Sequence, residues 1–417
     1  MQSSSGWENC PHCWRSGMES KPVAVNWSAS EKTSGGPDLA GDSLLNQGFR
    51  GIFRYRLQPW YDGLEDPAAA QQAVLERLLS DYARTAYGRE HGAAEVRTIA
   101  DYRRAFPVVT YADLEPLIRR VTAGETSLLL PEPPVAWGMT RGTTGQSKSV
   151  PITSTDLEMR AAGSRVLLNY VLRSGRDDVL QGACLNLNYP AQVDTVQMGG
   201  REVPRGYSSG IYARYNAERS NLWLVPVQEE IDALGGRDSE ADWRSRFALV
   251  YERAREESVT MCIGVTQTML RFARFLPHRY GLYPKDVWRM QLLGCTSIAG
   301  IHSKYKPALR ALYGPVEVLE IYGATEGIFA QQLDERPYVV PNYDLFFFEV
   351  DTGREVKMLH EMRRGEIGSL VVSTPVFPRY RIGDLVRCFG APYYRCIGRE
   401  RPLARLRYAL ERLIHWG

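Results

Sequence analysis

Apolar residues recur at helical spacing in the first ordered part of the chain, which we expect to begin near residues 49–60. Asp66 and Pro67 are an N-cap residue and a first-turn proline, so they predict the start of a helix. Gly88 is placed where a C-terminal cap is expected. A second amphipathic stretch, residues 111–122, predicts a helix that stops before Gly124. The predicted core face of the first helix is Val74, Leu75, Leu78, Leu79, Tyr82 and Ala86.

From residue 135 onward, short apolar stretches alternate with amphipathic ones. This alternation predicts an α/β fold with a largely parallel sheet, and short strands joined by turns from residue 343 predict a separate β-rich lobe. The predicted strands are 135–139, 180–187, 259–264, 290–295, 316–322, 345–351, 369–373 and 385–389. The predicted helices in this region are 156–172, 243–256, 266–276 and 303–313.

The same pattern predicts the domain organisation. Residues 1–45 are rich in Ser, Gly, Asn and Lys and lack apolar periodicity, which is typical of a disordered tail. We expect one large domain over 46–395, with its β-rich lobe at about 343–395. Residues 396–417 are expected to form a hinge and the stub of a truncated C-terminal domain, with a basic helix at 403–414.

The net charge of the chain indicates which class of binding partner to expect. The chain has 417 residues, and 51 Lys and Arg against 48 Asp and Glu leave a net charge of +3. Such a balance argues against nucleic acid or an acidic membrane as the main partner and favours a small-molecule substrate. The sequence shows neither an apolar run of about 18 residues nor a secretory signal pattern, so we expect a cytoplasmic protein.

The cysteines and histidines do not form the sequence patterns of a disulfide framework or a metal site. Seven cysteines are an odd number spread thinly, so they predict no disulfide framework. The Cys10 and Cys13 pair has a metal or redox spacing, but no second pair completes it, and a chance occurrence is favoured. Cys295 is interpreted as a buried apolar residue rather than a nucleophile. The six histidines show no two-histidine metal spacing.

Residues 137–148 have the composition of a phosphate-binding loop. Gly142 and Gly145 allow backbone amides to approach phosphate, three threonines add hydroxyl donors, and Lys148 ends the loop with a positive charge. Ser147 stands where a Walker A loop has glycine, so a P-loop kinase or ATPase is disfavoured. The alternative interpretation is a plain turn before the helix expected at Asp156.

Three later segments extend the nucleotide hypothesis. Residues 321–327 follow a predicted strand and offer Tyr322 as a stacking face for adenine and Glu326 as a magnesium ligand. In residues 380–384, Asp384 follows a glycine turn and could accept hydrogen bonds from both ribose hydroxyls. Gly398 and Arg399 add a cation for the phosphate or ribose.

These four segments, in this order, resemble the superfamily of acyl-CoA synthetases, nonribosomal adenylation domains and luciferases. Within it the chain looks most like the Gretchen Hagen family of acyl acid amido synthetases, which plants use to conjugate auxin and jasmonate. The similarity runs from about residue 68 to residue 400, and phenylacetate-type coenzyme A ligases share much of the pattern. The segments that carry the closer resemblance are 106–111, 151–153, 346–350 and 379–384.

The resemblance implies a reaction in two steps. A carboxylate attacks the α-phosphorus of ATP, giving an acyl-adenylate and pyrophosphate, and the acyl group then passes to an amine, or to a thiol in the alternative. The implied cofactors are ATP and Mg²⁺, with Lys148, Glu326 and Thr144 in catalysis and Glu326 as the metal ligand. The implied nucleotide-binding residues are Thr140, Gly142, Thr143, Thr144, Gly145, Lys148, Gly294, Tyr322, Gly323, Thr325, Asp384 and Arg399.

The chain departs from the family pattern at three places. Arg141 and Ser147 replace the usual Ser and Pro of the loop, and Pro402 stands at the hinge position. The family continues with a mobile C-terminal domain that carries a catalytic lysine, so the resemblance predicts that this domain is largely absent here. A competing hypothesis is therefore a catalytically impaired nucleotide-binding module. Residues 206–210 are expected to form a loop over the substrate or a plain surface loop.

Overall fold

Helices and strands alternate through most of the chain in the computed structural model, which describes residues 39–140, 148–220, 222–296 and 298–400. The predicted tail therefore lies outside the described residues as far as residue 38. In the described part the helices are α1 (Leu39–Glu65), α2 (Pro67–Tyr82), α3 (Ala86–Glu90), α4 (Ile99–Ala105), α5 (Tyr111–Thr122), α6 (Ser154–Gly163), α7 (Val166–Ser174), α8 (Ser208–Ser220), α9 (Gln228–Ala233), α10 (Glu240–Ala254), α11 (Thr266–Tyr280), α12 (Pro284–Val287) and α13 (Lys306–Tyr313).

The strands belong to three sheets. The first sheet has the order β2-β1-β5-β4, the second β11-β10-β9-β8-β7-β3-β6, and the third β13-β12-β14-β15-β16. They are β1 (Ala136–Met139), β2 (Ser149–Ile152), β3 (Ala183–Leu185), β4 (Asp194–Met198), β5 (Arg201–Tyr207), β6 (Leu224–Val225), β7 (Val259–Val265), β8 (Leu292–Thr296), β9 (Glu317–Ala324), β10 (Gly327–Gln331), β11 (Val340–Pro341), β12 (Phe347–Asp351), β13 (Val356–Met358), β14 (Ile367–Ser373), β15 (Tyr380–Cys388) and β16 (Tyr394–Arg399).

The predicted fold class is confirmed in the large sheet and in the β-rich region. Neighbouring strands from β6 to β9 are parallel, and the β9–β10 and β10–β11 pairs at one edge are antiparallel. The third sheet is antiparallel throughout. Within the described residues, no helix combines the length and the apolar character needed to cross a membrane. The domain boundaries at 45 and 395 stay predictions, and β16 continues from Tyr394 to Arg399 across the second.

Four local predictions were wrong. Residues 206–210, expected as a loop, form the end of β5 and the start of α8, where Gly206 packs against the main chain of Ala191. The helix expected over 156–172 is divided into α6 and α7, because the Gln331 side chain bonds the Gly163 carbonyl oxygen at 3.0 Å and the Arg165 amide at 2.9 Å in place of helical partners. Gly88 is no helix cap: it lies in α3, where a Cβ atom would come within 2.0 Å of the Tyr82 carbonyl oxygen. The turn expected at Gly383 is a bulge inside the continuous strand β15, which its φ of +86° allows.

Helix α2 follows the sequence prediction closely. The Asp66 side chain accepts a hydrogen bond from the Ala69 amide at 3.0 Å, and Pro67 occupies the first turn. The apolar face predicted for this helix is buried, apart from Ala86, which belongs to α3. Gln71 on the same helix is also buried and bonds the main chain of Tyr343, Phe346 and Phe348, so it ties α2 to the start of β12.

A buried ion cluster joins α4 to the third sheet. The side chain of Glu349 on β12 is only 1% exposed, and it accepts hydrogen bonds from Arg103 and Arg379 at 2.7 Å each. Arg379 also donates to the Phe106 carbonyl oxygen at 2.7 Å, and its backbone holds a left-handed φ of 44°. A non-glycine residue in this region is strained, and these bonds compensate for that strain.

Replacing Glu349 by Gln should lower the free energy of unfolding by about 3–5 kcal/mol, because the buried guanidinium of Arg379 and the partly exposed one of Arg103 lose their carboxylate. Urea unfolding followed by circular dichroism measures this loss. The matched control is Glu115→Gln, which removes an exposed pair with Arg119 on α5 and should cost less than about 1 kcal/mol. Equal losses in the two variants would show that the cluster contributes no more than a surface pair.

Candidate functional site

The two ends of the predicted phosphate loop are fixed by a β-hairpin. Strands β1 and β2 pair up to Met139 and Ser149. Beyond them the Thr140 amide donates to the Lys148 carbonyl oxygen at 3.1 Å, and the Lys148 amide donates to the Thr140 hydroxyl oxygen at 2.9 Å. The predicted loop residues Gly142, Thr143, Thr144 and Gly145 lie outside the described residues. The structure thus places Thr140 and Lys148 opposite each other at the base of this loop.

The segment before α5 connects this hairpin to β15. The Tyr111 hydroxyl donates to the Ser149 carbonyl oxygen at 3.2 Å and accepts from the Ser149 amide at 3.0 Å. The Lys148 Nζ atom lies 5.0 Å from the Tyr111 ring centroid, within cation–π range. Val109 makes main-chain hydrogen bonds on both sides of Tyr380. Residues 106–111, which carry part of the family resemblance, therefore hold the β1–β2 hairpin against β15.

Residues 321–327 form a tight hairpin between β9 and β10. Thr325 and Glu326 make the turn, and Ala324 pairs with Gly327. A Cβ atom at Gly323 would lie 3.1 Å from the Gly327 carbonyl oxygen, and one at Gly327 would lie 2.8 Å from the ring of Phe346. Gly323 thus suits the close approach of the two strands, and Gly327 leaves room for the Phe346 ring. Glu326 lies at the tip of the turn.

Glu326 is a buried carboxylate next to cations. Its exposed fraction is 7%, and burial raises its pKa, while the charges of Lys148 and Arg160 and the Tyr380 hydroxyl lower it. The charge of Lys148, 178 positions away in the sequence, therefore acts on the buried carboxylate of Glu326. Opposite charges in such surroundings interact more strongly than in water.

Asp384 is held by two predicted site residues. The Tyr322 hydroxyl donates to its Oδ2 atom at 2.9 Å, and the Arg399 Nε atom lies 3.3 Å from its Oδ1 atom. Arg399 also donates to the Ile382 carbonyl oxygen at 3.0 Å. Burial raises the pKa of Asp384, and Arg399 and the Tyr322 hydroxyl oppose that shift. The structure thus brings Tyr322, Asp384 and Arg399 together, and their roles toward a nucleotide stay predictions.

Gly294 and Cys295 lie inside the parallel sheet. A Cβ atom at Gly294 would be 3.1 Å from the side chain of Ile263, so strand packing explains the glycine. Cys295 has no exposed surface, and burial raises its pKa to about 12. A thiol so far from ionisation is a poor nucleophile, which agrees with its interpretation as a packing residue.

Sequence reasoning missed Arg160 as a site residue. Its guanidinium donates to the carbonyl oxygen of Thr325, directly before Glu326. The signal available in the sequence was the four-residue spacing of Asp156 and Arg160 after Thr153, which is typical of a capped helix with an ion pair. That signal by itself does not distinguish a buried pair from a solvated one.

Comparison with known proteins identifies relatives of the chain. The model of the GH3 family N-terminal domain matches residues 56–278. A probable indole-3-acetic acid-amido synthetase of Oryza sativa subsp. japonica, GH3.12, is 31% identical over 145 residues, which are 34% of this chain and 24% of the relative. A jasmonoyl–L-amino acid synthetase of the same plant, GH3.3, is 28% identical over 136 residues, or 32% of this chain and 29% of the relative. The chain thus matches less than a third of the length of these relatives.

Solved structures share the fold. AtGH3.15 acyl acid amido synthetase in complex with 2,4-DB superposes with a TM-score of 0.70 at 19% identity, over 84% of this chain and 71% of that one. A 2-hydroxyisobutyryl-CoA ligase in complex with 2-HIB-AMP superposes with a TM-score of 0.55 at 14% identity, over 79% of this chain and 67% of that one. These similarities confirm the predicted fold of the large domain of adenylate-forming enzymes.

A second buried acidic group lies on β9, two residues before Tyr322. Glu320 is 5% exposed, and its Oε2 atom is 3.8 Å from the Nε2 atom of His302. Burial raises the pKa of Glu320 to about 7, although the charge of Arg395 opposes the shift. Burial and the charge of Lys306 lower the pKa of His302 to about 4. Both groups are therefore driven toward their neutral forms.

These two shifts change stability with pH in opposite directions. Between pH 4.5 and 7 the folded protein keeps a proton on Glu320 that the unfolded chain releases, so this glutamate lowers the free energy of unfolding as pH rises. Between pH 4 and 6.5 the unfolded chain holds a proton on His302 that the folded protein releases, so this histidine raises the free energy of unfolding as pH rises. Replacing Glu320 by Gln should remove only the first effect.

The difference in unfolding free energy, Glu320→Gln minus wild type, should therefore rise by up to about 3 kcal/mol from pH 4.5 to 7.5. Urea unfolding of both proteins at several pH values measures it. A flat difference for Glu320→Gln would contradict the raised pKa of this carboxyl group.

Proposed function

The chain belongs to the GH3 family, and we propose that it uses ATP to activate a carboxylic acid as an acyl-adenylate and then transfers the acyl group to an amine. The activating step releases pyrophosphate, and the second step forms an amide. An amino acid is the proposed acceptor, in keeping with the names of the rice relatives. We also propose a large domain over 46–395 with a β-rich lobe at about 343–395, in a cytoplasmic protein.

One observation carries this proposal: three segments far apart in the sequence supply a lysine, a buried glutamate and an aspartate from elements that contact one another. Lys148 comes from the β1–β2 hairpin, Glu326 from the turn after β9, and Asp384 from the bulge in β15. The turn after β9 follows the carboxyl end of a parallel strand, which is the usual place for a ligand in such a sheet. These three groups fit the phosphates, a metal ion and the ribose of a nucleoside triphosphate.

In the proposed reaction the protein positions the reactants and balances charge. Lys148 would hold the β- and γ-phosphates together with loop residues 140–145, where Thr144 donates from its hydroxyl. The Asp384 carboxylate, already bonded to Tyr322 and Arg399, retains lone pairs that can accept the two ribose hydroxyls. The Tyr322 ring would stack on adenine, and Gly323 and Thr325 would border it. Such positioning and electrostatics account for most of the catalysis in phosphoryl chemistry.

Glu326 fits a role in binding Mg²⁺ through a single carboxylate. Among the described residues no cluster of three or more His, Cys, Asp or Glu side chains could hold a metal ion. Magnesium commonly takes one or two protein carboxylates and completes its ligands with phosphate oxygens and water. When bound in this way, the ion neutralises charge on the phosphates.

Acid-dependent ATP–pyrophosphate exchange tests the activation step across a panel of carboxylic acids. Lys148→Ala and Glu326→Gln should each lower the exchange rate by roughly 10²-fold or more, because their charges meet charge that develops on the phosphates. Lys357→Ala, a lysine paired with Glu366 on the third sheet, is the matched control and should leave the rate unchanged. Exchange that survives in both site variants would refute the adenylation mechanism.

The same panel separates the two possible products. Wild-type protein supplied with an active acid, ATP and either amino acids or coenzyme A is analysed by mass spectrometry. We expect the amide. A thioester without any amide would replace the amine acceptor by a thiol, and exchange without either product would favour the nucleotide-binding module of lower activity.

Asp384→Ala should weaken binding of ATP by about 1.5–3 kcal/mol, the usual scale for hydrogen bonds to a charged group. Isothermal titration calorimetry with magnesium present measures the loss. Asp351→Asn is the control, since Asp351 on β12 pairs with Arg381 on β15 but is not assigned to the ribose. Equal ATP affinity in wild type and Asp384→Ala would disprove the ribose assignment.

A further inference from the structure

Helix α6 carries a buried ion pair that the proposed chemistry does not use. The side chains of Asp156 and Arg160 are 4% and 5% exposed, and the Nε atom of Arg160 donates to the Oδ2 atom of Asp156 at 2.7 Å. A buried pair of charges contributes little net stability compared with apolar residues of the same size. Its presence in this place therefore needs a reason other than packing.

The remaining nitrogens of Arg160 reach the hairpin that presents Glu326. Nη2 donates to the Thr325 carbonyl oxygen, and Nη1 lies 3.5 Å from the Ala324 carbonyl oxygen. Asp156 thus accepts a hydrogen bond from one edge of the guanidinium, and the main-chain carbonyls of the turn accept from its other nitrogens. Both bonded carbonyls belong to the residues directly before Glu326, so the guanidinium restrains the backbone from which that side chain projects.

The same helix is connected to the phosphate-loop hairpin. Strand β2 follows Lys148 directly, and Thr153, the residue after this strand, caps α6 by accepting a hydrogen bond from the Asp156 amide at 3.2 Å. The Tyr212 hydroxyl on α8 donates to the Arg160 carbonyl oxygen at 3.0 Å and supports the helix from its far side. A short rigid path therefore leads from Lys148 through α6 to Glu326.

We propose that Arg160, oriented by Asp156, is a positioning residue that sets the Thr325–Glu326 turn relative to Lys148 for the adenylation step. This inference rests on the proposed function. Only a guanidinium can satisfy the arrangement, because its planar fork donates to the carboxylate and to two main-chain carbonyls in fixed directions. A lysine at this position keeps the charge but presents it from a single nitrogen.

The test compares Arg160→Lys with Arg246→Lys. Arg246 is also buried and also donates to a main-chain carbonyl, that of Arg237, while it stacks on the Trp243 ring 4.5 Å away on α10. Arg160→Lys should lower kcat of ATP–pyrophosphate exchange by about tenfold or more and leave the KM for ATP within about threefold, since misplaced catalytic groups mainly slow the chemical step. Arg246→Lys should leave both constants unchanged.

Hydrogen–deuterium exchange gives a second readout that needs no activity. Gly327 and Ile328 lie opposite Ala324 and Gly323 in the register of the hairpin, and amide exchange over residues 323–328 should be faster in Arg160→Lys than in wild type or Arg246→Lys. If Arg160→Lys does not fold, Asp156→Asn replaces it, because this change releases the guanidinium from its orienting partner. It should speed amide exchange over the same residues.

The outcomes separate this inference from the proposed function. Faster hairpin exchange together with a selective loss of kcat supports the positioning role. Unchanged hairpin exchange in the Arg160 and Asp156 variants overturns it, as does an equal loss of kcat in Arg160→Lys and Arg246→Lys. If wild type shows no acid-dependent ATP–pyrophosphate exchange, the proposed function fails, and the hairpin amides alone decide whether Arg160 restrains the turn.

Discussion

The carboxylate of Glu349 is the constraint on which the arrangement of the third sheet depends. A carboxylate with almost no exposed surface must be paired, and here Arg103 from α4 and Arg379 from the start of β15 both bond to it. To reach it, Arg379 adopts a left-handed backbone and also bonds the Phe106 carbonyl oxygen. These contacts fix the direction in which β15 leaves toward Tyr380 and Asp384.

The candidate site depends on main-chain contacts between segments that are distant in the sequence. Val109 pairs with the main chain around Tyr380, Tyr111 bonds the main chain of Ser149, and Arg160 bonds the turn before Glu326. Each of these contacts restrains a backbone segment rather than a single side chain. The charged groups of Lys148, Glu326 and Asp384 are therefore presented from elements whose positions are set by their neighbours, as a reaction governed by positioning requires.

Much of the fold could be predicted from the sequence, because local patterns encode it. Helix α2 carries its own cap and an apolar face, and the alternation of apolar and amphipathic stretches identifies the parallel sheet. The predictions failed where a distant contact overrides the local pattern. The helical pattern is interrupted after Gly163 because the Gln331 side chain bonds the main chain there, and Gly383 lies in a strand because β14 pairs on both sides of its bulge.

The sequence by itself determined which groups are available for nucleotide chemistry: Lys148, Tyr322, Glu326, Asp384 and Arg399 stand in short motifs that local spacing reveals. Only the tertiary structure decided which of them meet and how far they are desolvated. Asp156 and Arg160 look like any ion pair on a helix surface, and Glu320 looks like any strand glutamate, yet all three are buried. The physical reason is that burial and electrostatic environment come from segments hundreds of residues away, and no local pattern contains them.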